Sequence, residues 1–329
     1  MSNLEPDPRE RVCEPGRAGA PELIEPRLVP LGGPRAMTVR RTLPSRARSM
    51  IGPFCFADHY GPDDIAATGG MDVAPHPHIG LQTVTWLFEG AVLHRDALGS
   101  VQVIEPGQFN LMTAGAGICH SEEGTLARFP DQGVLRGVQL WTALPESARH
   151  GDRFFEHVAD VPVVAVGDAR VRVFMGSLAG ATSPARAFSP LVAAQVDLPA
   201  GARVTLPVDA RFEHGILVDD GEVTVGGHAV APAWLAYLPP GTADLVLEAG
   251  SAPARLVLLG GEPFAEQILM WWNFVGRTHE EVVEARRAWQ DAVAGEPDGV
   301  ARFGRVVGYD GPPLPAPELP GVRLKPRAR

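Results

Sequence analysis

A run of short apolar segments, cut every few residues by Gly or Pro, fills the stretch from Pro75 to Glu122. Residues 81–88, 91–96, 101–104, 109–114 and 118–122 are each too short for a stable helix. Glu89-Gly90, Leu98-Gly99-Ser100, Glu105-Pro106-Gly107 and Gly115-Ala116-Gly117 turn the chain between them. Short strands at a spacing of about 8–12 residues with turn signals mean an all-β barrel or sandwich. Two pairs bracket the stretch: Pro75-His76-Pro77-His78 opens it and His120-Ser121-Glu122 closes it. Residues two apart in a strand share a face, so His76 goes with His78 and His120 with Glu122. If the two segments are neighbouring strands of one closed sheet, three imidazoles and a carboxylate converge inside it. That is a mononuclear metal site with coordination positions to spare.

Neither pair is rare by itself in a chain with 10 His. His279-Glu280-Glu281 even repeats the second pattern, but in a segment that reads as helix, where i and i+2 do not face each other. The weight lies in the context. Both pairs sit on strand-like segments, 44 residues apart (120 minus 76), with turns at regular intervals between.

A length of 329 residues suits two domains, and 45% hydrophobic residues suit a large core. The net charge of −10 without a basic cluster argues against direct nucleic-acid binding. Arg323, Lys325, Arg327 and Arg329 read as a solvated tail. Cys13, Cys55 and Cys119 form no spaced framework, and no apolar segment reads as a signal peptide or membrane span. A cytoplasmic protein with reduced thiols is expected. Alternation turns Cys119 away from the site, as a small buried hydrophobe.

Along the chain, residues 1–36 are a Pro-rich arm outside any core element, and 37–150 a first barrel carrying the metal site. Residues 51–60 read as a strand that Gly61-Pro62-Asp63-Asp64 ends in a turn. A second barrel, 151–277, has strands near 161–166, 171–175, 191–197, 202–206, 215–218, 221–227, 233–240 and 254–259. Its Pro239-Pro240-Gly241 mirrors Glu105-Pro106-Gly107, which makes the second half a weak repeat of the first. Residues 278–329 are a helix and a Pro-rich tail. Thr278 with Glu281 is a capping box, Val282, Ala285, Trp289, Ala292 and Val293 share a face, and Gly295 stops the helix.

These residues resemble a known family. Gly70, His76, His78, then Gln82 and Gly90 follow the first cupin motif, with Gln82 where the generic motif has Glu. Gly107 and Thr113-Ala114-Gly115-Ala116-Gly117-Ile118-Cys119-His120-Ser121-Glu122 take the place of the second. With Trp271-Trp272-Asn273-Phe274-Val275, this variant looks like the pirin family, over roughly residues 37–293. The resemblance implies an all-β bicupin: two tandem double-stranded, jelly-roll type β-barrels with one C-terminal helix. It implies one divalent metal, Fe(II) first and Mn, Ni, Co or Zn as alternatives, held in the first barrel by His76, His78, His120 and Glu122. With only His214 and His228 and no His-x-His, the second barrel is expected to hold none. Gln82 is expected to change a hydrogen bond around the metal without removing it.

Several pirin-type proteins are quercetin 2,3-dioxygenases, and one animal member is a nuclear transcription coregulator. The expected function is therefore a metal-dependent dioxygenase. It would act on a small aromatic enol or flavonol with O2, Glu122 taking the 3-hydroxyl proton and the ring opening with loss of CO. The alternative is an iron-binding, redox-sensing protein that modulates a protein partner without turnover; an isomerase or hydrolase-like cupin shares the same ligands. Phe54, Phe56, Trp86 and Met112 are candidate walls for a flat substrate. His94, on the His94-Arg95-Asp96 strand, is expected beside the site, and His59 and His157 on the surface or in loops. Trp271 and Trp272 are expected to pack.

Overall fold

The computed structural model describes residues 20–31 and 37–326. Strands β1 (Glu22–Ile24) and β2 (Arg27–Leu31) come first, then β3 (Met37–Leu43) and β4 (Phe54–Asp64). A single-turn helix α1 (Ile65–Thr68) leads into β5 (Met71–His78), β6 (Leu81–Glu89), β7 (Val92–Asp96) and β8 (Val101–Ile104). Strands β9 (Phe109–Thr113), β10 (Ile118–Gly124), β11 (Val134–Ala143) and β12 (Phe154–Val158) follow. Sheet order β12-β9-β6-β11-β4-β3-β2 faces sheet order β5-β10-β7-β8, and together they make the first barrel.

The second half continues with β13 (Val163–Val166), β14 (Ala169–Leu178), β15 (Ala181–Thr182), β16 (Leu191–Leu198) and β17 (Arg203–Pro207). Next are β18 (Glu213–Asp220), β19 (Val223–Val225), β20 (His228–Val230), β21 (Leu235–Leu238), β22 (Asp244–Ala249) and β23 (Ala254–Gly261). Sheet orders β1-β21-β18-β23-β16-β14-β13 and β17-β22-β19-β20 repeat the first barrel's plan, so β17 answers β5 and β22 answers β10. A small hairpin, β24 (Leu269–Trp271) and β25 (Phe274–Gly276), precedes α2 (His279–Ala294) and α3 (Pro297–Phe303). The fold is the expected all-β pair of barrels. Among the described residues no helix is long and apolar enough to cross a membrane.

The large sheets of the two barrels lie face to face. Val84, Trp86, Phe109, Leu111, Val138 and Leu140 of the first pack on Phe174, Ala193, Leu217, Leu235, Val257 and Leu259 of the second in one buried cluster. Every second residue of a strand goes into this layer and the residues between go into the barrel, as a two-residue period requires. The second barrel's own interior is apolar, built from Val204, Leu206, Ile216, Val218, Leu245, Leu247 and their neighbours.

Two boundary expectations need correcting. The Pro-rich arm is not wholly outside the sheets: β2 pairs with β3, and β1 pairs with β21 of the second barrel. Residues 1–19 and 32–36, with Cys13 among them, lie outside the described residues, as do Arg327 and Arg329. The division at residue 150 also differs from the pairing, because β12 completes the first barrel's sheet on β9. Gly61-Pro62-Asp63-Asp64 is not a turn but the end of β4. There the register slips against β11, and a Cβ at Gly61 would lie 2.0 Å from the Leu135 carbonyl oxygen. Glycine lets the two backbones close.

Helix α2 begins as expected. Thr278 Oγ1 accepts from the Glu281 N–H, and the Glu281 carboxylate accepts from the Arg277 N–H. Gly295 closes it in the left-handed region, and Val282, Ala285, Trp289 and Ala292 are buried, with Val293 partly so. Trp271 and Trp272 pack in the same cluster. From α3 onward the chain runs over the outside of the β5–β10 pair. Arg302 donates to Ala116 O, Leu314 N–H to Pro75 O, and Tyr309 O–H to Asp72. Arg323 is exposed, as expected, and pairs with Glu280 at the surface.

Candidate metal centre

Strands β5 and β10 are antiparallel neighbours, with His120 opposite His76 and Ile118 opposite His78. The register slips between His120 and Glu122, and β7 lies on the other side of β10 with His94 opposite Glu122. One ring nitrogen from each of His76, His78 and His120 lies within 4.8 Å of the others, and all three side chains are buried. The Glu122 carboxylate is in the same chamber but outside that group. It accepts from Thr85 Oγ1 at 3.4 Å, across the barrel.

The hydrogen-bond partners decide which nitrogens are free. His76 Nδ1 lies 2.9 Å from Ala74 O and His78 Nδ1 lies 3.1 Å from Asn273 O. A carbonyl only accepts, so both Nδ1 atoms carry the hydrogen and both Nε2 atoms present lone pairs. Burial pushes His76 down to about 4 and holds His78 and His120 well below the usual imidazole range, so the three rings are neutral donors at pH 7.

His78 Nε2 and His120 Nε2 are 3.0 Å apart. Two nitrogens bound at about 2.1 Å to one ion are about 3.0 Å apart at a right angle and about 3.4 Å apart at a tetrahedral angle. The observed separation thus lies in the range for two ligands of one ion. Facing lone pairs at this distance are unfavourable without a cation between them. The donor set fits a divalent first-row metal, with room for oxygen ligands.

Burial pushes the Glu122 carboxyl above the usual range, opposed by His94 and by hydrogen bonds from Thr85 and Gln139. Those two partners belong to a row that was not anticipated. In register across the large sheet, His157 faces Asn110, Asn110 faces Thr85, Thr85 faces Gln139, Gln139 faces Asp58, and Asp58 faces Arg41. The polar row looks at the sheet of the three imidazoles from the opposite wall. His157 Nδ1 lies 2.7 Å from Asn110 Oδ1, Thr85 reaches Gln139 Oε1 at 3.2 Å, and Arg41 grips Asp58 with two bonds. Asn110 Nδ2 and the Tyr60 hydroxyl are buried without a hydrogen-bond partner. No spacing in the sequence announces such a row, because its members come from six strands.

One step along each strand pair is a second, mostly apolar row: Phe155, Met112, Thr83, Trp141 and Phe56. Trp141 stacks on Phe56 at 4.1 Å and sits edge-on to His78, while Phe155 stacks on His94 at 4.5 Å. Of the four expected wall residues, Phe56 and Met112 face the chamber. Phe54 and Trp86 do not: they lie in the layer between the barrels, where Trp86 stacks on Phe174 and donates to Gln195 Oε1. Strand parity, unreadable without a register, decides this.

Gln82 shares the parity of Trp86 and points out of the barrel. Its amide donates to Thr113 Oγ1 and to Arg186 O, and its oxygen accepts from Thr142. It is therefore not beside the metal site, contrary to expectation. His59 is not on the surface either; it is buried between the barrels, 2.7 Å from Asp219 Oδ1. His157 is half-buried in β12. His94 is beside the site, with Nδ1 at 3.4 Å from His120 Nδ1. Cys119 is buried on the outer face of β10 against α2 and α3. In the second barrel, Leu206 pairs with Leu245 and Val204 with Leu247 on the strands that answer β5 and β10, and none of these side chains can ligate a metal.

Comparison with known proteins agrees with this architecture. The pirin family profile matches residues 36–142, and the profile of the pirin C-terminal cupin domain matches residues 193–295. A Pseudomonas aeruginosa protein provisionally named quercetin 2,3-dioxygenase is 44% identical over 297 residues, 90% of each chain. A pirin-like protein of Caulobacter vibrioides is 37% identical over 257 residues, 77% of this chain and 88% of that one. The crystal structure titled quercetin 2,3-dioxygenase from Acinetobacter baumannii superposes with a TM-score of 0.85 at 38% identity, covering 93% of this chain and 98% of that one. With its matching profiles, its relatives and its paired barrels, the chain belongs to the pirin family.

Proposed function

We propose that the protein is a metal-dependent dioxygenase of the pirin type, acting on a flavonol or a related aromatic enol. His76, His78 and His120 hold one divalent metal through Nε2, with Glu122 as the fourth ligand; Fe(II) is the preferred ion. The observation that carries the reading is the convergence of three neutral imidazole nitrogens beside a buried carboxylate. The bound metal supplies open coordination positions and the one-electron chemistry that O2 requires. The names of the relatives above support the substrate class.

The chain's own residues account for the rest. Glu122, buried and held by Thr85 Oγ1, takes the proton of the substrate's 3-hydroxyl. The shelf of Met112, Trp141, Phe56 and Phe155 holds a flat ring and keeps water off it. The polar row of Asn110, Thr85 and Gln139 offers donors and acceptors to ring hydroxyls, and Asn110 Nδ2 has no other partner. Overall, both atoms of O2 enter the flavonol, its central ring opens and carbon monoxide leaves.

The test is aerobic incubation of the Fe(II)-loaded protein with quercetin, following loss of flavonol absorbance and release of carbon monoxide. Turnover is expected, and a Glu122→Gln variant should lose about 10²- to 10⁴-fold in kcat. Absence of turnover with Fe, Mn, Ni and Co alike would remove the dioxygenase reading and favour an iron-binding regulator.

A further inference from the structure

His94 and Asp96 have no part in the chemistry proposed above, yet both are buried and both are joined to a candidate ligand. We propose that Asp96 and His94 act as positioning residues, a two-step relay that sets which nitrogen of His120 carries the hydrogen and so leaves Nε2 open to the metal. The inference rests on reading the three imidazoles as ligands.

The relay starts from a pinned carboxylate. Asp96 Oδ1 accepts from the Leu98 N–H at 2.8 Å and the Ser100 N–H at 3.1 Å, in the turn after β7. Its Oδ2 lies 3.2 Å from His94 Nε2. A carboxylate only accepts, so the His94 hydrogen is on Nε2 and its Nδ1 presents a lone pair. That lone pair faces His120 Nδ1 at 3.4 Å, so the His120 hydrogen is on Nδ1. His120 Nε2 is left bare, facing His78 Nε2.

Two features hold the parts in line. The β10–β7 register sets His120 opposite Asp96 and Glu122 opposite His94, and Phe155 stacks flat on the His94 ring. His76 and His78 have backbone carbonyls to fix their tautomers. His120 has none, and the relay replaces it. If the relay is reversed, every hydrogen moves to the other nitrogen and His120 points an N–H at the metal position. Partners of this kind commonly change metal affinity about 10- to 100-fold.

The experiment uses the full chain and two readouts that need no turnover. In the metal-free protein, ¹⁵N chemical shifts of the His120 ring report the tautomer directly. The hydrogen is expected on Nδ1; finding it on Nε2 would overturn the proposal. In the second readout, Co(II) is titrated by its visible absorption. Asp96→Asn keeps an oxygen for the turn but offers an NH₂ to His94, which inverts the relay. It is expected to weaken Co(II) binding at least 10-fold while circular dichroism is unchanged. His94→Phe keeps the stack on Phe155 without an acceptor and should weaken binding similarly. His94→Gln restores an acceptor for His120 Nδ1 and should bind within a few-fold of wild type. Wild-type affinity in both Asp96→Asn and His94→Phe, or a loss in His94→Gln with none in His94→Phe, sinks the relay alone. A wild-type chain that binds no Co(II) sinks the metal reading and the relay together.

Discussion

Gln82 shows how much one side chain's direction can matter. It stands where the generic motif has a carboxylate, but its strand parity sends it toward the second barrel, where it needs two N–H donors and one acceptor. Gln82→Glu would leave the Arg186 carbonyl and the Thr113 hydroxyl facing a charge that cannot donate. The variant is expected to lose about 2–4 kcal/mol of stability, read as a lower urea midpoint, with metal stoichiometry unchanged. His214 makes a second case. It lies inside the second barrel with neither ring nitrogen hydrogen-bonded, and burial lowers it from 6.5 to about 4. The unfolded chain therefore takes up a proton there between pH 6.5 and pH 4 that the folded chain does not. Stability is full above pH 6.5 and falls, by about 3 kcal/mol from this residue, as the pH drops through that window. His214→Leu should flatten the curve by one proton's slope; an unchanged acid limb in urea melts at stepped pH would contradict the assignment.

At the scale of elements, β10 divides its labour by alternation. His120 and Glu122 face the chamber, while Cys119 faces outward and is covered by α2, α3 and the segment after them. The alternation was legible in the sequence, and so were the all-β class and the capped helix, because each rests on local period or local turn chemistry; the spacing left the pairing of β5 with β10, which brings the three imidazoles together, as a condition, and the resemblance supplied it. What was not legible needs a partner strand: β22 and β12 as elements, the polar row, and the outward aim of Phe54 and Trp86. The cover over Cys119 belongs to that second group. Burial pushes its thiol up to about 12, and Gly304, just after α3, sits so close to Ala97 that a Cβ there would lie 2.4 Å from the alanine's own. Gly304 also has φ +73°, where side chains are strained. Gly304→Ala in a Cys13→Ser background is expected to lift this cover at a cost of about 1–3 kcal/mol. Cys119 should then react at least 10-fold faster with a thiol reagent under native conditions, while Cys55, buried near Trp141 O, stays protected. Equal labelling rates in the two proteins would mean that the segment does not guard that face.

On the scale of the whole molecule, the two barrels repeat one plan but have been filled differently, one with imidazoles and hydroxyls, the other with Leu and Val. Their independence ends at the layer between them. Trp86 stacks on Phe174 at 4.6 Å, and His59, Arg136 and Arg255 all converge on Asp219 from around that layer. Strand β1 reaches from the chain's start into the second barrel. A charge such as Asp219, buried and held by three cationic or imidazole partners, adds little net stability but penalises any arrangement that separates the barrels, since it would then be left unpaired. The two halves should therefore melt as one unit rather than in sequence, despite matching two separate family profiles. Trp86→Ala tests this, because it removes a buried ring from the shared layer and touches neither barrel's interior. A loss of about 3–5 kcal/mol is expected. It should appear as one cooperative transition at a lower midpoint, with amide exchange accelerated equally in β6 of the first barrel and β16 of the second. If exchange rises in β6 alone while β16 keeps wild-type protection, the barrels unfold separately and the shared layer is a contact between two domains rather than a common core.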